Sequence, residues 1–332
     1  MEFATRLASK NVAKRYPLNV NGPADWNQHP NSGKWQCTLA LPEIPAEQIL
    51  IPSFASTDMS LAGGQFQFSL HWTSENGESR HSTLNPVPAS VPPAAPSTGT
   101  KEPLTPGATA HIDCWHTQAN LQHAYVIISL TQTKAPEEYL LCVSTRPLQH
   151  STEADTLKLS TDFSYHLEIP ATLSQMEAAD NLKHRICSPT ALAMALSVFP
   201  QAPEWQSTVE ACYDPHTKAY GAWPLAIRWA AQHGILGAVE AVDRWQVAVD
   251  LLTKGAPLVC SIRFEQGGLP GAPLKQTSGH LVLLHGIDAE HVLVKDPAGT
   301  NAACVDRRYP LKEFAAAWLQ RRGAAYIFCL TS

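Results

Sequence analysis

From Gln65 to Thr73 the chain alternates strictly, with Phe66, Phe68, Leu70 and Trp72 set against Gln67, Ser69 and His71. A period of two predicts a strand with one buried face. Trp35–Leu39 alternates in the same way, and apolar runs at Ile49–Phe54, Tyr125–Leu130 and Tyr139–Val143 predict more strands. Seven of the 21 positions from Pro86 to Pro106 are proline, which excludes a helix or a central strand there. Strand-like runs resume beyond that stretch, so it reads as a long loop inside a first domain; an interdomain linker is the alternative. Several short strands without a helical stripe predict a β-sandwich or jelly roll.

After Pro170 the period changes. Ala191, Leu192, Met194, Ala195, Leu196, Val198 and Phe199 are apolar nearly all round a helix, which predicts a buried one. Trp223–Gln232 and Trp245–Leu252 read as further helices, the second ended by Gly255. Strand-like runs follow at Pro257–Phe264, His280–Ile287, His291–Lys295 and Ala324–Leu330. Helices first and strands afterwards predict an α+β domain. The expected division is therefore an all-β domain over residues 1–155 and an α+β domain over residues 156–332.

Composition narrows the function classes. The 332 residues carry a formal charge of −5, and 16% are charged, against roughly 25% in an average globular chain. Apolar residues make up 44%, which excludes a disordered chain. Lys and Arg form no block beyond pairs such as Arg307-Arg308 and Arg321-Arg322, so nucleic acid is excluded as a partner. No run of about 18 apolar residues exists to span a membrane. The first residues, Met1-Glu2-Phe3-Ala4-Thr5-Arg6, lack the apolar core of a signal peptide. A cytoplasmic monomer is the expectation, with an exported protein as the alternative. The eight cysteines stand at least 25 residues apart, with no zinc spacing, so neither a metal nor a cofactor is expected. Cys142, Cys260 and Cys329 lie in apolar runs and read as buried small hydrophobes.

Cys187 differs. It opens Cys-Ser-Pro-Thr-Ala-Leu, and Pro189 is tolerated only in the first turn of a helix, so the thiol sits at a helix N-terminus. The macrodipole there favours the thiolate, the nucleophilic form. His280 opens a strand after Ser278-Gly279, and the chain turns at Asp288-Ala289-Glu290 before returning through His291–Asp296. A hairpin centred near residue 289 sets residue 298 opposite His280, with Asp296 one pleat away and able to orient the ring. Nucleophile, base and orienting acid in the order Cys187, His280, Asp296 fit thiol acyl chemistry.

At these residues the second half resembles the double-glycine-leader peptidase-like family, papain-fold cysteine peptidases found mainly in bacteria. Gln175-Met176 followed by Cys187-Ser188-Pro189-Thr190 is similar to the family's nucleophile segment. Tyr220-Gly221-Ala222-Trp223-Pro224 is similar to its Tyr-Gly-Asn-Trp-Pro segment. Gly268-Leu269-Pro270-Gly271-Ala272-Pro273, then Ser278-Gly279-His280, and finally Asp296-Pro297 match its loop, histidine and acid. Ile186 stands where an aromatic residue commonly precedes the cysteine, and Ala222 where asparagine is usual. Leu50-Ile51-Pro52-Ser53-Phe54 loosely resembles the β-rich region that precedes the peptidase in some members. The resemblance implies a cysteine peptidase with Cys187 as nucleophile, His280 as base and Asp296 as orienting acid, acting on a peptide or protein. It further implies an oxyanion donor at Gln175, with Asn181 the alternative because it stands at the shorter spacing usual in papain-like enzymes. Tyr220, Trp223, Gly268 and Gly279 are candidates to line a substrate cleft. The same three residues also suit an acyl or amide transferase, and an inactive binding protein of this fold is a third reading.

Overall fold

The computed structural model describes residues 3–58, 64–74, 76–88, 107–149 and 163–330. The proline-rich stretch beyond residue 88 and the expected boundary at 155/156 lie outside the described residues. Along the first half run strands β1 (Phe3–Ala8), β2 (Asn27–Gln28), β3 (Trp35–Ala40), β4 (Gln48–Ser56), β5 (Gln65–Thr73), β6 (Ser79–Thr83), β7 (Ala108–Ala110), β8 (Trp115–Thr117), β9 (Gln122–Thr131) and β10 (Tyr139–Pro147), with one turn of helix, α1 (Lys10–Ala13), after β1. They form two antiparallel sheets, β1-β10-β4-β8-β7 and β2-β3-β9-β5-β6.

Side-chain alternation explains how these sheets stack. On β5 the apolar set Phe66, Phe68, Leu70 and Trp72 is buried and the polar set is only half-buried. That face packs on Leu50 and Phe54 of β4 and on Leu141 and Val143 of β10, and Phe54 meets Phe66 edge to face with centroids 5.4 Å apart. On the other face of β4 and β10 lie Ile49, Ile51, Ala55, Leu140 and Cys142, which join the core of the second half. These two strands are apolar on both faces because both faces are covered. Their sheet is therefore a middle layer.

The second half comprises β11 (Ser164–His166), α2 (Cys187–Leu196), α3 (Trp205–Ala211), α4 (Trp223–Ala231), β12 (Ile235–Ala241), α5 (Trp245–Thr253), β13 (Leu258–Phe264), β14 (Thr277–Asp288), β15 (His291–Lys295), β16 (Asp306–Pro310), α6 (Leu311–Ala317) and β17 (Ala324–Leu330). Its sheet runs β12-β17-β13-β14-β15-β16, and β11 pairs with the end of β14. The expectation of helices before strands is corrected by β12, which lies between α4 and α5. Its sequence, Ile-Leu-Gly-Ala-Val-Glu-Ala, hides a strand behind a glycine and an acid. Both have packing reasons: a Cβ at Gly237 would collide with the Phe328 ring and the Ile327 carbonyl, and Glu240 is a buried anchor.

Glu240 joins the two halves. Arg6 of β1 donates to it from Nε at 2.6 Å and from a terminal nitrogen at 3.0 Å. The Tyr16 hydroxyl donates at 2.9 Å and the Ser144 hydroxyl at 2.5 Å. Arg6 is 6% exposed and Glu240 2%. Arg146 adds donations to the carbonyls of Val242 and Leu319, and the Val239 N–H donates to Ser53 Oγ at 3.1 Å.

Candidate active site

Cys187 is the first residue of α2, with Pro189 in the first turn. Ile186 supplies no side-chain cap, so the free N–H groups of that turn are available at the sulfur end of the helix. Cys187 is half-buried, and its thiol lies within electrostatic reach of His280 and of the Leu281 and Ser188 N–H groups. Helix α2 packs on β13 and β14, the latter carrying the histidine.

The β14–β15 hairpin pairs Leu283 with Lys295 and Leu284 with Val294. Strand β15 ends at Lys295, and the next residue, Asp296, turns its carboxylate onto the imidazole. His280 Nε2 lies 2.7 Å from Asp296 Oδ1, which leaves Nδ1 as the ring nitrogen facing the thiol. Oδ1 also accepts from the Ala298 N–H at 2.9 Å, and Oδ2 from the Tyr309 hydroxyl at 2.7 Å. Both His280 and Asp296 are buried, at 2% and 1% exposure.

Electrostatics follow from this chain. Burial alone would lower the imidazole, but the charge and hydrogen bond of Asp296, then the thiol, raise it to about 10. Burial would raise the Cys187 thiol, yet the hydrogen bond and charge of His280 and two backbone N–H groups hold it below its ordinary value. The Asp296 carboxyl is lowered, its burial outweighed by His280 and by its Tyr309 and Ala298 donors. Such an arrangement favours a thiolate–imidazolium pair. Elsewhere burial pushes thiols up: Cys37 to about 11, Cys212 and Cys329 to about 12.

Gln175 is 5% exposed in a short 3₁₀ turn, Gln175–Glu177. Its backbone N–H donates to the Pro297 carbonyl at 2.8 Å, beside Asp296. Nε2 donates to the Lys183 carbonyl at 2.7 Å, and Oε1 is buried without a partner. Asn181 is exposed in the turn that follows. Tyr220 is half-buried, its ring tilted against Tyr213 with centroids 5.1 Å apart and lying under the Arg185 guanidinium at 5.4 Å. Trp223 is 4% exposed and packs in the same core as α2. Gly268 lies in an exposed turn pinned by buried Leu269, and Gly279 is exposed directly before His280.

Tyr309 is the site residue that sequence reasoning missed. It is the one fully buried side chain in Asp-Arg-Arg-Tyr-Pro of β16, and that single aromatic in a polar strand was its only signal. Among the described residues no group of three or more His, Cys, Asp and Glu could hold a metal ion, and no helix is long and apolar enough to cross a membrane.

Residues 167–326 match the Peptidase_C39 like family. The family resemblance read from the motifs thus holds across this segment, which contains Cys187, His280 and Asp296. Among solved structures, a double glycine motif protease from an AMS/PCAT transporter, in complex with the leader peptide, is 17% identical; the match covers 50% of this chain and 94% of that one, with a TM-score of 0.35. A C39-like peptidase from Bacillus anthracis is 16% identical, with 50% and 98% covered and a TM-score of 0.40. No curated protein matches the chain.

Proposed function

We propose that the protein hydrolyses peptide bonds through a Cys187 acyl-enzyme. The observation that carries this reading is the His280–Asp296 hydrogen bond, with Cys187 at the first turn of α2 close enough to the same imidazole for its thiol to be lowered by it. With the thiol proton already held on His280 Nδ1, the Cys187 thiolate attacks the scissile carbonyl carbon, and the carbonyl oxygen becomes an oxyanion. The imidazolium then protonates the leaving amine as the C–N bond breaks, leaving a thioester. Water, deprotonated by His280, attacks the thioester and releases the acid and the thiol. Asp296 fixes the tautomer that presents Nδ1 to sulfur. The Cys187 N–H and Gln175 Nε2, which has a second hydrogen to give, suit the oxyanion; exposed Asn181 is less well held. Tyr220 and Gly279 suit the cleft rim. The β-sandwich of the first half, taken as residues 1–155, braces the peptidase half, residues 156–332, through the Glu240 anchor.

Selective alkylation tests the pair. A free thiol with pKa near 8.5 is less than about 1% ionised at pH 6. Iodoacetamide at pH 6 is therefore expected to label Cys187 at least about tenfold faster than Cys304, the other partly exposed thiol. His280→Ala should abolish that preference. The preference should narrow as pH rises toward about 8.5, where an ordinary thiol ionises, and labelling of Cys187 should fall on the acid side as its thiolate is protonated. Equal labelling of the two cysteines by peptide mass spectrometry counts against the nucleophile assignment.

Tyr309→Phe removes the hydroxyl that donates to Asp296 Oδ2. A buried hydrogen bond to a charged group contributes about 1.5–3 kcal/mol, and urea unfolding should show a loss of that order. Without the donor the Asp296 carboxyl rises, so the acid limb of the activity profile is expected to move to higher pH. An acyl transferase on the same triad is separated by product analysis with and without an added amine.

A further inference from the structure

A cleft of about 800 Å³ opens beside the strands that carry His280, and neither Cys187 nor His280 lines it. Three arginines do: Arg263 at the end of β13, and Arg321 and Arg322 in the turn after α6. All three are exposed. Among the described residues no Asp or Glu lines the cleft. In a chain with net charge −5 and few charged residues, three guanidinium groups around one cavity make a local positive field of the kind that concentrates anions.

Its position is set by strand register. Ile262 pairs directly with His280, and the ladder shifts register between Ile262 and Phe264, at Arg263; Ile262 is buried while Arg263 is exposed. The cleft lies at this bulged end of β13 and β14, where Ile262, Ser278 and Gly279 form part of its wall. A Cβ at Gly279 would meet nothing within 4 Å. One open, side-chain-free residue separates the cleft from His280.

The recognition chemistry points to carboxylates. Arg321 and Arg322 follow the C-terminal end of α6, where the helix presents backbone carbonyls and not N–H groups. Anion binding there falls to side chains, and a guanidinium fork matches a carboxylate bidentately. The volume falls in the range of ligand sites, roughly 300–1,000 Å³, and holds several residues of an extended chain. We propose that this cleft binds an acidic segment of the polypeptide substrate, away from the scissile bond. The substrate part of this inference rests on the peptidase reading; the anion site does not.

Binding is measured on the full chain carrying Cys187→Ala, by fluorescence anisotropy with labelled hexaglutamate and hexaglutamine peptides. Hexaglutamate should bind and hexaglutamine should not. Combined Arg263→Gln, Arg321→Gln and Arg322→Gln should weaken hexaglutamate binding at least about tenfold. Arg263→Glu, a change at an exposed position of β13, should abolish binding with an unchanged melting curve. Unaltered affinity in both variants, or no hexaglutamate binding by the parent, overturns the proposal. Displacement by inorganic phosphate at concentrations comparable to the peptide overturns the peptide assignment in favour of a free anion. With Cys187 intact, the triple variant should raise KM for a substrate bearing a glutamate tract and leave kcat, and KM for a tract-free substrate, unchanged. Lost activity toward both substrates with binding intact would strike the peptidase reading; intact activity without hexaglutamate binding would strike the cleft alone.

Discussion

Cys187→Ala is expected to abolish peptide-bond hydrolysis, with a loss of about 10⁴–10⁶ in kcat. No other side chain can replace the sulfur. Cys304 is the other partly exposed thiol, and the remaining six are buried. His280→Ala should cost nearly as much, because the thiol then loses the partner that lowers it and the leaving amine loses its acid. The double variant should be no worse than either single one, since nucleophile and base act as one unit. The measurement is turnover of an unstructured protein substrate, with mass spectrometry of the products against a blank. Turnover by Cys187→Ala at more than about a hundredth of the parent rate would sink the acyl-enzyme mechanism. Losses that multiplied in the double variant would instead separate the roles of the two residues.

Glu240→Ala is expected to cause the largest loss of stability of any single polar truncation between the halves. The carboxylate receives two donations from Arg6, one from Tyr16 and one from Ser144. Removing it leaves a guanidinium at 6% exposure without its counter-charge and takes the acceptor from the Tyr16 and Ser144 hydroxyls. Breaking a buried pair from one side costs about 3–5 kcal/mol, and each kcal/mol moves the melting temperature of a large domain by roughly 2–4 °C. Thermal unfolding followed by circular dichroism should therefore show a fall of roughly 10 °C. Arg6→Met together with Glu240→Leu should fall less, since neither charge is then left alone. Glu137→Ala, in a fully exposed pair with Lys134, serves as the control and should leave the melt unchanged. A Glu240→Ala melt indistinguishable from that control would show that the anchor contributes nothing to cohesion of the halves.

Local patterns carried much of this structure. The alternation of Gln65–Thr73 became β5, and Pro189 located the start of α2 at Cys187. Turn chemistry at Asp288-Ala289-Glu290 was sufficient to register the hairpin that brings Asp296 to His280. What escaped depends on partners far along the chain. Tyr309 gains meaning only through Asp296, 13 residues earlier and one strand over. Glu240 looks like a surface acid inside a strand until Arg6, 234 residues away, is placed against it. Trp223, an aromatic beside Gly221 and Pro224 that suits a groove wall and plain packing equally in sequence, lies in the core. The missed strand β12 shows the same limit, since its glycine and its acid answer to Phe328 and Arg6 and to nothing local.

The middle layer has a consequence for dissection of the molecule. With β4 and β10 apolar on both sides, a cut between the halves would leave either an uncovered sheet face on one fragment or a bare seam of β12 and α4 on the other. Each fragment would offer water the surface on which the other normally sits. The smallest piece expected to fold and remain in solution therefore carries β1, β4 and β10 together with the triad. Loss of turnover in a fragment that lacks those strands would report collapse of the scaffold before it reported anything about chemistry.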